Sequence, residues 1–203
     1  MSGRRPCVPG IVRIAGALAA AAAPAAHAHL ITTGLGPVYD GMSHFALTFE
    51  DSIPVAALAL LAGLRGRAHA RLAVFLLPLA WFVGGAVGVQ AGRAPGVPLD
   101  WLPLVLLGGL VASNLALRPA LTAALAVAAG LLLGYQNGVA MAAPDAPGLR
   151  GITGVTVTVF VCATLLSALV VRFHQGWLAI AWRVLGSWIA ASGLLLLGWS
   201  LAR

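Results

Sequence analysis

Apolar runs close to the twenty-residue length that crosses a bilayer recur along most of the chain, parted by short polar breaks. They fall at residues 48–64, 71–90, 99–117, 119–137, 151–171 and 184–202. The pattern predicts an all-α fold, a polytopic membrane bundle of about six transmembrane helices filling residues 29–203. The first span is the least regular. Pro54 sits near its start, where a missing backbone N–H costs little, and Glu50, Asp51 and Ser52 suit a helix N-terminus, where carboxylates meet the positive end of the dipole.

The run nearest the N-terminus is of a different kind. Arg4, Arg5 and Arg13 precede or flank a short Ala-rich core that ends in Ala26-His27-Ala28, an A-x-A cleavage pattern. Residues 1–28 read as a cleaved signal peptide, with an uncleaved anchor helix as the competing reading. Cys7 precedes the apolar core, so it is no lipobox cysteine, and Cys162 lies inside a later span; the two give neither a disulfide framework nor a CxxC pair.

Composition removes the soluble alternative. Of 203 residues, 61% are hydrophobic and 8% charged, too little polar surface to coat a water-soluble globule of this size. Lysine is absent, and arginine alone supplies the excess behind the net charge of +7. The arginines stand singly between apolar runs, so they act as topology signals and no nucleic-acid partner is expected.

Alternating the spans from a signal peptide that places His29 outside puts Arg65, Arg67, Arg71, Arg118, Arg172 and Arg183 on one side and Arg93, Arg150 and Arg203 on the other. The richer set is expected in the cytoplasm, which makes this a bacterial inner-membrane protein with a periplasmic mature N-terminus. Gly84, Gly85, Gly88, Gly108, Gly109, Gly130 and Gly134 fall on the spans, as close packing of helices in lipid requires. Nothing matches a phosphate loop, a Walker motif or a nucleophile elbow, so an ATP-driven machine is not expected.

Five acidic residues occur in all, and Asp40, Glu50 and Asp51 cluster with His44 ahead of or at the first span. Were residues 40–51 one helix, steps of about 100° would bring Asp40, His44 and Asp51 within about 40° of one another. Gly41 and Pro54 oppose that continuity. Even broken, the stretch sets an imidazole and carboxylates at the mouth of the bundle, where borderline divalent cations find ligands. Cleavage after Ala28 would leave His29 with a free α-amine beside its imidazole, a pair able to chelate a late transition metal.

Gln136 and Asn137, flanked by Tyr135 and Gly138, lie near the outer end of the fourth span, where their amides either line a pathway or bond neighbouring helices. Thr153, Thr156, Thr158, Thr164 and Ser167 on the fifth span are expected to bond their own helix backbone or pack against neighbours. His69 and His174, each among arginines, read as solvated loop residues. Histidine pairs on facing spans, which a b-type cytochrome needs, are missing.

The segment Tyr39-Asp40-Gly41-Met42-Ser43-His44, continuing through Glu50-Asp51 into a helix that ends Ala62-Gly63-Leu64-Arg65-Gly66, resembles the HupE/UreJ family. The overall plan of a signal peptide, a mature N-terminus near His and about six spans is similar as well. Better-known members carry His-Pro-x-x-Gly-x-Asp-His around the first span. Aligned on its first His, this chain has His44, with Phe45 and Thr48 for the Pro and Gly, Glu50 at the Asp and Asp51 at the second His. A later His-rich segment of the family corresponds here to Gly134-Tyr135-Gln136-Asn137-Gly138. The chain thus looks like a divergent branch.

The resemblance implies permeation of nickel or cobalt in support of metalloenzyme maturation. On that reading the chain is a secondary permease for a divalent transition-metal ion, with His29, Asp40, His44, Glu50 and Asp51 as metal ligands and Gln136 and Asn137 along the path. The ion is cargo, and no tightly bound cofactor is expected. The alternative is a non-transporting accessory protein that binds metal or a maturation partner at its outer face. An intramembrane metal-dependent enzyme ranks last, since HExxH and other compact catalytic sets are lacking.

Overall fold

The computed structural model describes residues 33–93 and 99–202. The proposed signal peptide and His29 lie outside the described residues. Within them the chain is all-helical, with seven helices: α1 (Pro37–Leu47), α2 (Phe49–Arg65), α3 (Arg67–Ala91), α4 (Trp101–Ser113), α5 (Pro119–Ala140), α6 (Gly148–Arg172) and α7 (Trp177–Leu201).

Four of these, α3, α5, α6 and α7, are long and apolar enough to cross a membrane singly. The pair α1 and α2 makes a fifth candidate span or a re-entrant turn, bent by 74° at its break. The sequence pattern misses α1 and places a single straight helix at 48–64. Thr48 adopts extended backbone (φ −96°, ψ 97°), and its N–H (3.0 Å) and Oγ1 (2.7 Å) both donate to the His44 carbonyl, closing α1 there. Pro54 sits more than a turn into α2, deeper than expected, so the Glu50 carbonyl lacks its helical donor. The expected span 99–117 is a 13-residue helix, about 20 Å long and short of the ~30 Å hydrocarbon layer. Asn114 stops it in the left-handed region (φ 55°), a conformation Asn tolerates, and Pro119 opens α5.

α2 forms the centre. Its residues 57–63 are buried without interruption, as expected of a helix apolar on every face and enclosed by neighbours on all sides. α3 and α5 pack most extensively and run parallel. Gly130, Gly134 and Gly138 lie against the backbone at Leu77, Trp81 and Gly85, and Gly84 and Gly88 lie against Leu131 and Tyr135. A Cβ at any of these glycines would strike main chain, which no rotamer change can relieve. Small residues let two backbones approach in lipid, where dispersion rather than hydrophobic burial drives helix association. Gly41 meets Gly151 where α1 crosses α6, and Gly108 meets Gly186 and Ala190 between α4 and α7. Gly109, expected to pack, faces open space. α7 is peripheral, burying only Gly186 and Gly193 and exposing Trp177, Trp188, Leu195 and Trp199.

The hydrogen bonds tie the loops into two ends. At one, Arg65 donates to Asn114 (2.8 Å) and Arg183 to the Ala112 carbonyl (3.1 Å). At the other lie the junction of α1 and α2, the start of α4 and the end of α5, where Asp51, Asp100 and Tyr135 make their bonds. All five acidic side chains of the chain fall at this second end, and Arg67, Arg71, Arg118 and Arg172 stand at helix ends at the first.

Candidate cation site

Seven residues of continuous helix would separate His44 from Asp51 by about 10.5 Å along the axis. The break at Thr48 folds that distance away, and Nε2 of His44 stands 4.0 Å from Oδ2 of Asp51. Both residues are buried, at 7% and 6% exposure. From α5, Asn137 donates through Nδ2 to Oδ1 of Asp51 at 2.8 Å and to its own helix at the Leu133 carbonyl at 3.1 Å. Asn137 is 3% exposed, and its Oδ1 is a buried acceptor with no hydrogen-bond partner. Because Asp51 needs the amide N–H, the oxygen of Asn137 is the atom left over.

These three side chains come from α1, α2 and α5. They combine an imidazole nitrogen, a carboxylate oxygen and an amide oxygen, each with lone-pair capacity to spare. One position on from His44, Phe45 packs edge to face on Trp81 of α3 (5.9 Å), holding α1 against the bundle. Isolated polar groups at membrane depth are costly unless paired, so the unpartnered Asn137 oxygen beside a carboxylate and an imidazole has capacity for one further donor or a cation.

The remaining expected residues are elsewhere. Asp40 accepts from the Thr33 N–H (2.6 Å) and the Thr33 hydroxyl (2.7 Å), tying down the chain before α1. Glu50 is exposed. Gln136 points away from Asn137 and donates to Asp100 at 2.8 Å. Adjacent residues on a helix diverge by about 100°, so both amides could not face one path. Among the described residues, no group of three or more His, Cys, Asp or Glu side chains could hold a metal ion. The convergent set therefore has two ionisable members and an amide.

Two features escape the sequence reading. His69 is helical and buried, not a solvated loop residue, and its Nδ1 stands 2.8 Å from the Thr122 hydroxyl. Asp100, which carries no expected role, is the acceptor that draws Gln136 aside. His69 and Thr122 differ by 53 positions, the offset that also separates Leu77 from Gly130 and Trp81 from Gly134. The parallel register of α3 and α5 would have revealed the first pair. Thr153, Thr156, Thr158 and Thr164 bond their own helix, whereas Ser167 reaches the Ala59 carbonyl of α2 (3.4 Å). No protein-family model, no curated protein and no solved structure matches this chain.

Proposed function

We propose that the protein is a secondary permease for a divalent transition-metal ion, with His44, Asp51 and Asn137 as its intramembrane ligand set. The observation that carries this reading is the buried Oδ1 of Asn137, left without a partner beside a carboxylate and an imidazole. Ligand bonds of about 2.0–2.2 Å from nitrogen and oxygen let one ion bridge two donors about 4 Å apart. Little movement of His44 or Asp51 is then required. The resemblance to the HupE/UreJ family selects nickel or cobalt among the ions that such ligands accept.

Glu50 and Asp145, exposed at the same end, supply negative potential that gathers cations ahead of the buried site. The family resemblance and the arginine distribution favour a periplasmic position for that end and the bacterial inner membrane as the location. Movement of the ion is driven by its gradient, by the membrane potential or by proton exchange at a carboxylate.

The test is radioactive nickel or cobalt uptake into proteoliposomes. Wild-type protein gives time-dependent uptake, and replacing both His44 and Asp51 with Ala lowers it at least tenfold. Uptake unchanged by that double replacement rejects the ligand set. Stoichiometric metal binding in detergent without flux in proteoliposomes supports instead the accessory-protein reading.

A further inference from the structure

At the arginine end a groove of about 860 Å³ opens between the N-terminal part of α3 and the C-terminal part of α6. Arg67, Arg71 and Arg172 stand around it, and Val74, Phe75 and Val171 form part of an apolar wall. All three arginines are exposed. No carboxylate answers them: every acidic residue of the chain lies at the opposite end, and none of the described arginines forms a salt bridge.

The local helix makes the excess worse. Arg67 and Arg71 occupy the first turns of α3, where unsatisfied N–H groups and the dipole already place positive charge. Gly66, at the N-cap, offers no side chain to accept from those N–H groups. On the opposite wall, Arg172 lies over the ring of Phe173, 5.3 Å from its centroid, which holds the guanidinium at the rim. The rim is thus cationic and the wall beneath it mostly apolar, with the hydroxyls of Thr164 and Ser167 already bonded to helix carbonyls.

We propose that this groove binds an anionic phospholipid, its phosphate between Arg67, Arg71 and Arg172 and an acyl chain along Val74, Phe75 and Val171. Charge complementarity selects the headgroup. Guanidiniums in a planar fork match phosphate oxygens two at a time, and a neutral or zwitterionic headgroup leaves the excess charge uncompensated. The continuity of apolar wall and basic rim selects a lipid over a soluble anion, since a free phosphate would leave the wall uncovered. This inference is independent of the metal reading, because it concerns the opposite end of the bundle.

The experiment is thermal unfolding of the full-length protein in a neutral detergent, with native mass spectrometry of retained lipid. Phosphatidylglycerol raises the melting temperature by several degrees, while phosphatidylcholine and inorganic phosphate at equal concentration do not. At about 1 kcal/mol for each basic residue near a lipid surface, each Arg→Gln change weakens binding about fivefold, and the triple variant R67Q/R71Q/R172Q by more than about a hundredfold. R118Q, outside the groove, keeps the shift. If the triple variant does not fold, R71Q and R172Q are read singly. Equal protection by phosphatidylcholine or by phosphate overturns the proposal, as does a shift that survives the arginine replacements.

Discussion

Asn137 donates its side-chain N–H to the Asp51 carboxylate at 2.8 Å across 86 residues of sequence, joining the C-terminal end of α5 to the first turn of α2. Both groups are buried, so the bond is made where water does not compete. Interhelical hydrogen bonds in membranes average about 0.6 kcal/mol and reach about 1.7, and a bond between two buried side chains belongs at the upper part of that range. A double-mutant cycle of Asn137→Ala and Asp51→Ala, read by unfolding in mixed detergent micelles, is expected to give a coupling of about 1–1.5 kcal/mol. Additive effects would mean that the two side chains do not interact.

The same geometry separates neighbours that the sequence had grouped. In proteoliposome uptake, Asn137→Ala is expected to lower metal flux about 10–100-fold, the range typical for residues that hold or orient ligands. Gln136→Ala, which touches Asp100, leaves flux within about twofold. A loss with Gln136→Ala as large as that with Asn137→Ala would return Gln136 to the path.

Packing between α3 and α5 admits a sharp contrast. Gly134→Ala places a Cβ against the backbone at Trp81 and is expected to destabilise by about 2 kcal/mol, as overpacking does. Gly109→Ala meets open space, so the helix preference for Ala, up to about 1 kcal/mol, is gained unopposed. Equal melting temperatures for the two variants would contradict the close approach of these helices.

His69 and Thr122 supply a fourth test at the arginine end. Thr122→Val preserves shape and removes the hydroxyl, leaving a buried imidazole nitrogen without a partner, at an expected cost of about 1–2 kcal/mol. Thr164→Val removes a hydroxyl that bonds its own helix and is expected to cost under about 0.5 kcal/mol. Unfolding in detergent distinguishes them, and equal losses would argue against the His69 bond.

Asp40 anchors rather than lines the site. With Asp40→Ala, both Thr33 donors lose their acceptor, and hydrogen exchange at residues 33–36 is expected to accelerate while exchange in α5 stays unchanged. Unaltered exchange at Thr33 would remove the tether.

Helix type and rough position were legible in the sequence because lipid imposes a length on every crossing segment and requires the backbone to satisfy its own hydrogen bonds. The gathering of the carboxylates at one end, with Arg93 and Arg150 among them, was legible too, since single charges between apolar runs must sit at their ends. The residues of the site were legible as candidates, not as a set. Whether His44 meets Asp51 depends on how Thr48 closes α1, and hydrophobic periodicity carries no record of a 74° bend. That Asn137 rather than Gln136 joins them depends on the rotation of α5, which its glycine contacts with α3 decide. Sequence alone thus determined that helices form and which ends carry charge, because those follow from local chemistry and the solvent. Tertiary structure alone decided which three side chains share one buried place, because that follows from where separate backbones are able to touch.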